Sequence, residues 1–480
     1  MSARINAGAL PWLCLLAGCA VGPTYHQPPA PPLAYYNGAA DPQQTVVADG
    51  SSQRFIAGAA LEGDWWRLFG SPDVDRVLAD ALGSNPGLQA AQAGLRASQA
   101  TLRAGYGIFY PQAALDAAAT RQRYSPAKVG QSASGSIFNL YTLSASVSYA
   151  LDLFGGQRRL VEGLRAQTDL SRANARAAYL TLSTNLVNAL IARAAYRAQV
   201  QDTQALIELQ REQVSLANAQ VEAGTAAYAG LLALRAQLAT SEASVPQLEQ
   251  KLTQTEDLLA TLAGHAPAEW RAPDLTLSAL TLPVDLPVSL PSELVKHRPD
   301  IMAADAIAHV ACADVGVATA AMLPSITLSG SLGANAQTIG SLAAANSRFW
   351  GVAAGAAVPV FAGGSLYFRR RAAVENYVQA SALYRQTVLQ AFAQVADALR
   401  ALDHDAATLL AESAALSSAA EALQLIHANY AAGLVTYGDV LIADAQWHQA
   451  KVAEIQARAV RFQDTVALYA ALGGGWWNAR

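Results

Sequence analysis

The chain has 480 residues, of which 52% are hydrophobic and only 14% charged, and its formal net charge is -4. That balance suits neither a nucleic-acid binder nor a protein held on membranes by a basic face, so nucleic acid is not expected among its partners. Cys14 and Cys19 fall at the extreme N-terminus, which leaves Cys312 alone as a packing residue and excludes a disulfide framework or a cysteine-based metal site.

In chain order, the first feature is an apolar run from Leu10 behind Arg4, too short to span a bilayer and shaped like a secretory signal. It breaks off at Leu16-Ala17-Gly18-Cys19 and turns at once into a proline-rich tether. The quartet resembles the bacterial lipoprotein lipobox, which makes residues 1–18 a signal peptide and Cys19 the lipidated first residue of the mature chain. Several acyl chains anchor far better than one. Ala20 is not the aspartate that resembles an inner-membrane retention signal, which favours the outer membrane. An ordinary signal peptide with a stray cysteine is the alternative, and Cys14 shows that cysteines occur in such runs. The N-terminal segment is expected to cover residues 19–70.

From Asp73 to about Gly105, alanine, leucine and glutamine at helical spacing predict one helix, stopped by Gly105, Gly107 and Pro111. The period then changes to two. Ala113, Leu115, Ala117 and Ala119 alternate with Asp116, Thr120 and Gln122 in a strand from Gln112 to about Arg123. In a second strand from Tyr141 to Leu153, Leu143, Ala145, Val147 and Tyr149 alternate with Thr142, Ser144, Ser146 and Ser148. A proline-free helix over 157–222 follows, which at 1.5 Å per residue would reach about 100 Å. Gly224 breaks it, and another helix is predicted over 228–263.

After a proline-rich connector at 264–291, the same order returns at an offset of about 210 residues. Pro299 and Pro324 are spaced as Pro86 and Pro111 are, and VPVFAGGSLYFRR answers LDLFGGQRR. The second copy, 292–472, has strands at about 325–360, a long helix over 365–432, a break at Gly433 and a helix over 437–472. A tail, 473–480, closes the chain. The N-terminal segment, the connector and the tail are expected to form a collar around the helices.

The strands have membrane-spanning length, and aromatics flank them: Phe138, Tyr141, Phe349 and Trp350 at one end, Phe109, Tyr110, Phe154 and Phe361 at the other. A soluble hairpin packed on helices is the alternative. Four strands cannot close a barrel, and an open edge in lipid leaves backbone groups unpaired, so the barrel must be shared between copies. Leu143, Val147, Leu328 and Val352 are expected to face lipid, with Ser146 and Thr327 facing the lumen. At the opposite end of the helices, Gly224, Thr225, Tyr228 and Arg235 in the first copy and Gly433, Thr436, Tyr437, Asp439 and Asp444 in the second are candidates for a gate. Capping and packing between hairpins is the alternative role for them.

YALDLFGGQRR, CAVGPTY, RPDIMAADAIAHVACADVGVATAAMLPSITLSG and the terminal ALGGGWW resemble the outer-membrane efflux factor family, the TolC-like exit ducts, most closely its lipoprotein branch. Asp305 stands where that family commonly has glutamate, and Met322-Leu323 where an aromatic is common. The resemblance implies an α+β membrane fold, a homotrimer whose four strands per chain build a twelve-stranded outer-membrane barrel, and a ring of long periplasmic helices. It also implies a passive duct for drugs or other small molecules, with a periplasmic adaptor and a proton-driven inner-membrane pump as partners and outer-membrane lipid around the barrel. A type I protein secretion duct and a non-conducting envelope lipoprotein are the other readings. No enzyme, cofactor or metal is expected. Gly155-Gly156 and Gly363-Gly364 lack a phosphate-loop lysine, and Asp403, His404 and Asp405 read as a solvated helix face.

Overall fold

The computed structural model describes residues 20–29, 31–33, 35–36, 43–125, 130 and 134–478. Residues 1–19, which hold the expected signal peptide and Cys19, lie outside the described residues. Two compact units divide the chain, one from Met1–Gln27, Leu95–Leu170 and Ala304–Tyr384, the other from Pro28–Gly94, Ser171–Ala303 and Arg385–Arg480.

The first copy contributes α1 (Pro72–Ser84), α2 (Pro86–Gly105), β2 (Gln112–Tyr124), β3 (Ser136–Leu151), α3 (Gly156–Glu222) and α4 (Tyr228–Leu262). The second contributes α5 (Pro291–His297), α6 (Pro299–Ala320), β5 (Ser325–Ala336), β6 (Arg348–Ala357), α7 (Ser365–Ala431) and α8 (Tyr437–Ala471). The correspondence extends to length: α3 and α7 have 67 residues each, α4 and α8 have 35 each. Ahead of each copy lies one short strand, β1 (Arg54–Ala57) and β4 (Asp285–Val288), and the two pair in parallel.

Several boundaries differ from the sequence expectation. The helix expected over Asp73 to Gly105 is two helices, because Pro86 drives Asn85 into extended backbone at ψ 118°. Arg298 before Pro299 repeats this break, with ψ 126°. The strand expected from Tyr141 begins at Ser136 and ends at Leu151. Asp152 leaves it to cap α3, its carboxylate accepting from the N–H groups of Gln157 (3.1 Å) and Arg158 (3.0 Å). The last strand stops at Ala357, short of Val358 and Val360, where Pro359 offers no N–H to a ladder.

In the first unit, β2, β3, β5 and β6 form one antiparallel sheet in the order β2-β3-β5-β6. The two copies therefore join at β3 and β5. Below the sheet, small residues allow close helix contact: Gly163 faces Ala313, and Ala308, Cys312 and Ala313 are fully buried. By length and composition α6 is the one described helix able to cross a membrane. Two of its polar side chains, Asp305 and His309, have internal partners in Tyr25 and Glu162.

In the second unit, Val395, Leu399, Leu402 and Leu409 of α7 are buried at helical spacing, as are Leu186, Leu190 and Ile191 of α3. Trp65 stacks on Tyr469 at 5.3 Å, and Phe69 packs on Phe462. Arg461 is buried there, its guanidinium donating to the carbonyls of Ala48 (3.1 Å) and Ser51 (3.3 Å) and to Gln53 Oε1 (3.2 Å). This pins residues 45–53 to α8. Asp405, read as part of a solvated face, turns inward instead, because its position on α7 lies between Leu402 and Ala406 of the buried stripe. Burial, then the neighbouring Asp464, pushes its carboxyl up to about 7.

Candidate functional site

The sheet carries chemistry through its register. Val147 lies opposite Ala113 on one side and Gly330 on the other, and Gly330 lies opposite Val352. Leu143 lies between Ala117 and Ala334, and Leu328 between Tyr149 and Ala354. Directly paired residues share a face, so Leu143, Val147, Leu328 and Val352 stand on one face together with Leu115, Leu332 and Trp350. That face is bare in the single chain: Val352 is 81% exposed and Trp350 77%. A soluble monomer rarely leaves so broad an apolar patch uncovered.

The other face holds Ser144, Ser146, Ser148, Ser325, Thr327, Ser329 and Ser331. Its hydroxyls find one another's neighbours, Thr142 Oγ1 donating to Asn335 Oδ1 at 2.8 Å and Ser146 Oγ to Asp116 Oδ2 at 3.4 Å. Among the described residues, nothing pairs with the outer edges of β2 and β6.

The tether lies against the same unit. Val21 N–H donates to the Phe154 carbonyl at 2.9 Å, and Arg159 Nε donates to the Val21 carbonyl at 3.2 Å. Tyr25 donates to Asp305 Oδ1 at 2.5 Å and stacks on His309 at 4.5 Å. His309 meets Glu162 at 3.0 Å, and Glu162 pairs with Arg159 at 2.7 Å. Burial, then the bond to Asp305, holds the Tyr25 hydroxyl far above its ordinary pKa, and burial raises Asp305 as well. For Glu162 burial acts upward, but the bonds from Arg159 and His309 outweigh it and keep the carboxyl below its usual range. The aspartate found where glutamate is common is thus the acceptor for the tether's tyrosine.

At the hairpin turns of the second unit, Gly224 and Gly433 both adopt a left-handed φ of 72°. In both, the following N–H reaches back to end the helix, Thr225 to Gln220 O and Leu434 to Asn429 O, each at 2.9 Å. Thr436 and Asp439 form a reciprocal capping box at the start of α8. Those bonds, the Thr436 side chain first, hold the Asp439 carboxyl below its ordinary range. Arg235 donates to Asn218 of its own hairpin at 3.1 Å and does not meet Asp439 or Asp444. Tyr228 is exposed.

Tyr437 makes a contact between the two copies near the turns, its hydroxyl donating to Glu212 Oε2 at 2.9 Å. Accepting from it, Glu212 raises the phenol's pKa. The Tyr430 ring lies 5.6 Å away. Farther along, Lys451 reaches Asp202 at 2.7 Å beside the buried His448. Sequence reasoning missed Glu212, Asp202 and Lys451, since nothing local marks a contact between residues more than 200 positions apart. Among the described residues no group of three or more His, Cys, Asp or Glu side chains could hold a metal ion.

The family model described as outer membrane efflux protein matches residues 77–265 and 290–474, one match for each copy. The chain is similar to the toluene efflux pump outer membrane protein TtgC of Pseudomonas putida, at 29% identity over 97% of this chain and 94% of that protein. It is 26% identical to the probable outer membrane lipoprotein SilC of Salmonella typhimurium, over 96% of this chain and 97% of the relative. Among solved structures, the outer-membrane channel OprN superposes with a TM-score of 0.82 at 28% identity, covering 95% of this chain and all of that one.

Proposed function

The chain belongs to the outer membrane efflux protein family, and on that premise we propose that it is the passive exit duct of a tripartite efflux system. Three copies close one barrel of twelve strands in the outer membrane, each giving the four strands of its first unit. The helices of the second unit form the periplasmic part of the duct. Small molecules pass through, delivered by a proton-driven inner-membrane pump by way of a periplasmic adaptor, and no bond is made or broken on the way. Cys19 carries the lipid that adds an anchor.

The observation that carries this reading is the sheet: one face apolar from Ala113 to Ala119 and across Leu143, Val147, Leu328 and Val352, with Arg121, Asn139 and Arg348 only at one end, one hydroxyl-rich face, and, among the described residues, two edges without a partner strand. Lipid suits the first, a water-filled lumen the second, and neighbouring copies the third. An enzyme or a bridging lipoprotein needs none of them. The hairpin turns are read as the periplasmic gate, supported by the Tyr437–Glu212 bond beside the Gly433 break.

Cross-linking in native membranes followed by purification tests the assignment. A trimer should come away with an adaptor and an inner-membrane pump. Recovery of a monomer without either would sink it.

A further inference from the structure

Where the ends of β3, β5 and β6 meet the start of α3 and the end of α6, the first unit holds a cleft of about 550 Å³. Its walls are mainly apolar and include Leu153, Phe154, Val317, Leu323, Ile326 and Val358. The volume falls within the range of about 300–1,000 Å³ typical of small-molecule sites.

The tether arrives at this same place. Phe154 and Gly156 line the cleft, and Gly155 between them is the residue against which Ala20 packs: a Cβ on Gly155 would lie 2.5 Å from the Cβ of Ala20. Val21 is bonded to Phe154. A Cβ on Gly22 would lie 2.5 Å from the Cα of Gly316, and Cys312 Sγ approaches the Pro23 carbonyl at 3.7 Å. The chain is therefore fixed from Ala20 to Tyr25, and one peptide link, about 3.8 Å between successive Cα atoms, separates Ala20 from Cys19.

We propose that this cleft receives an acyl chain of the lipid borne by Cys19. The proposal rests on the lipidated outer-membrane reading above. A lipid attached one residue from a fixed segment has a high effective concentration at the neighbouring cleft, which favours it over a free phospholipid tail of the same chemistry. Its methylenes cover apolar walls that the protein leaves bare. The cleft sits at the ends of the strands, the depth at which an acyl chain would leave the leaflet. Seated there, the lipid would tie the tether, the sheet and α6 together, and so act as a packing element in addition to an anchor.

The test uses the full lipidated chain from cells fed a diazirine-bearing fatty acid. After irradiation, peptide mass spectrometry should find the lipid-bearing N-terminal peptide joined to peptides containing Leu323 or Val358. Val317→Trp, which fills the cleft, should reduce that product at least tenfold while the lipid mass on the N-terminus stays. Val358→Trp, at a position already 57% exposed, should do the same without repacking the interior. An intact lipid mass with cross-links only to phospholipid would overturn the cleft proposal alone. So would labelling of the cleft that persists in Cys19→Ser, since a free lipid would then be the occupant. An unmodified Cys19 in the parent would overturn the lipidation reading with it.

Discussion

Arg461 shows how a single residue fixes a whole segment. Its guanidinium is buried and satisfied by backbone carbonyls and Gln53, whose amide in turn donates to Thr465. Arg461→Ala would orphan these acceptors and open a void. We expect a loss of about 2–4 kcal/mol, read as a lower thermal midpoint, with residues 45–53 becoming sensitive to protease. Asp405 makes stability depend on pH. Burial and the neighbouring Asp464 push its carboxyl up to about 7 in the folded chain, against about 3.9 when unfolded. The folded state therefore holds the extra proton, and this stabilisation is full below about pH 4 and lost as pH rises through about 7. Thermal midpoints should fall over that window, and Asp405→Asn should flatten the profile. An unchanged profile in the variant would assign the dependence to another group. At the turns, Tyr437 and Asp439 separate into two roles. Asp439→Ala removes a cap and should speed amide exchange in the first turn of α8 only. Tyr437→Phe removes the tie to Glu212 and should raise conductance.

Among the elements, the strands were legible because period two survives in Leu143 to Tyr149 and in Ile326 to Leu332. A one-residue slip would have moved every side chain to the other face. The start of β3 was not legible, since Ile137, Phe138, Asn139 and Leu140 do not alternate cleanly. Nor was the break at Asn85, where an alanine-rich helical pattern continues on both sides of Pro86 and hides the proline's effect. The long helices and their glycine breaks could be read from local signals alone. The pairing of β1 with β4 and the docking of Tyr25 on Asp305 could not, because each joins residues more than 200 positions apart. Facing is testable element by element. Val147→Arg should cost about 2–4 kcal/mol if the residue sits near the bilayer midplane and should lower the yield of assembled barrel. Ser146→Arg, one residue along, should assemble normally. Equal yields would contradict the assignment of faces.

On the scale of the whole molecule, the sheet points to assembly. Among the described residues its four strands leave two edges without a partner and an apolar face exposed, and both would be satisfied if copies met edge to edge in lipid. The two tandem copies explain why the chain supplies strands and helices in matching sets, with α3 and α7 alike in length as α4 and α8 are. That the assembly conducts is the central claim, and single-channel recording in planar bilayers tests it most directly. If the hairpin turns form the gate, the parent should give discrete but small steps, and Tyr437→Ala combined with Asp439→Ala should give larger ones from the same oligomer. Inserted, correctly assembled protein that passes no current in either form would contradict the account.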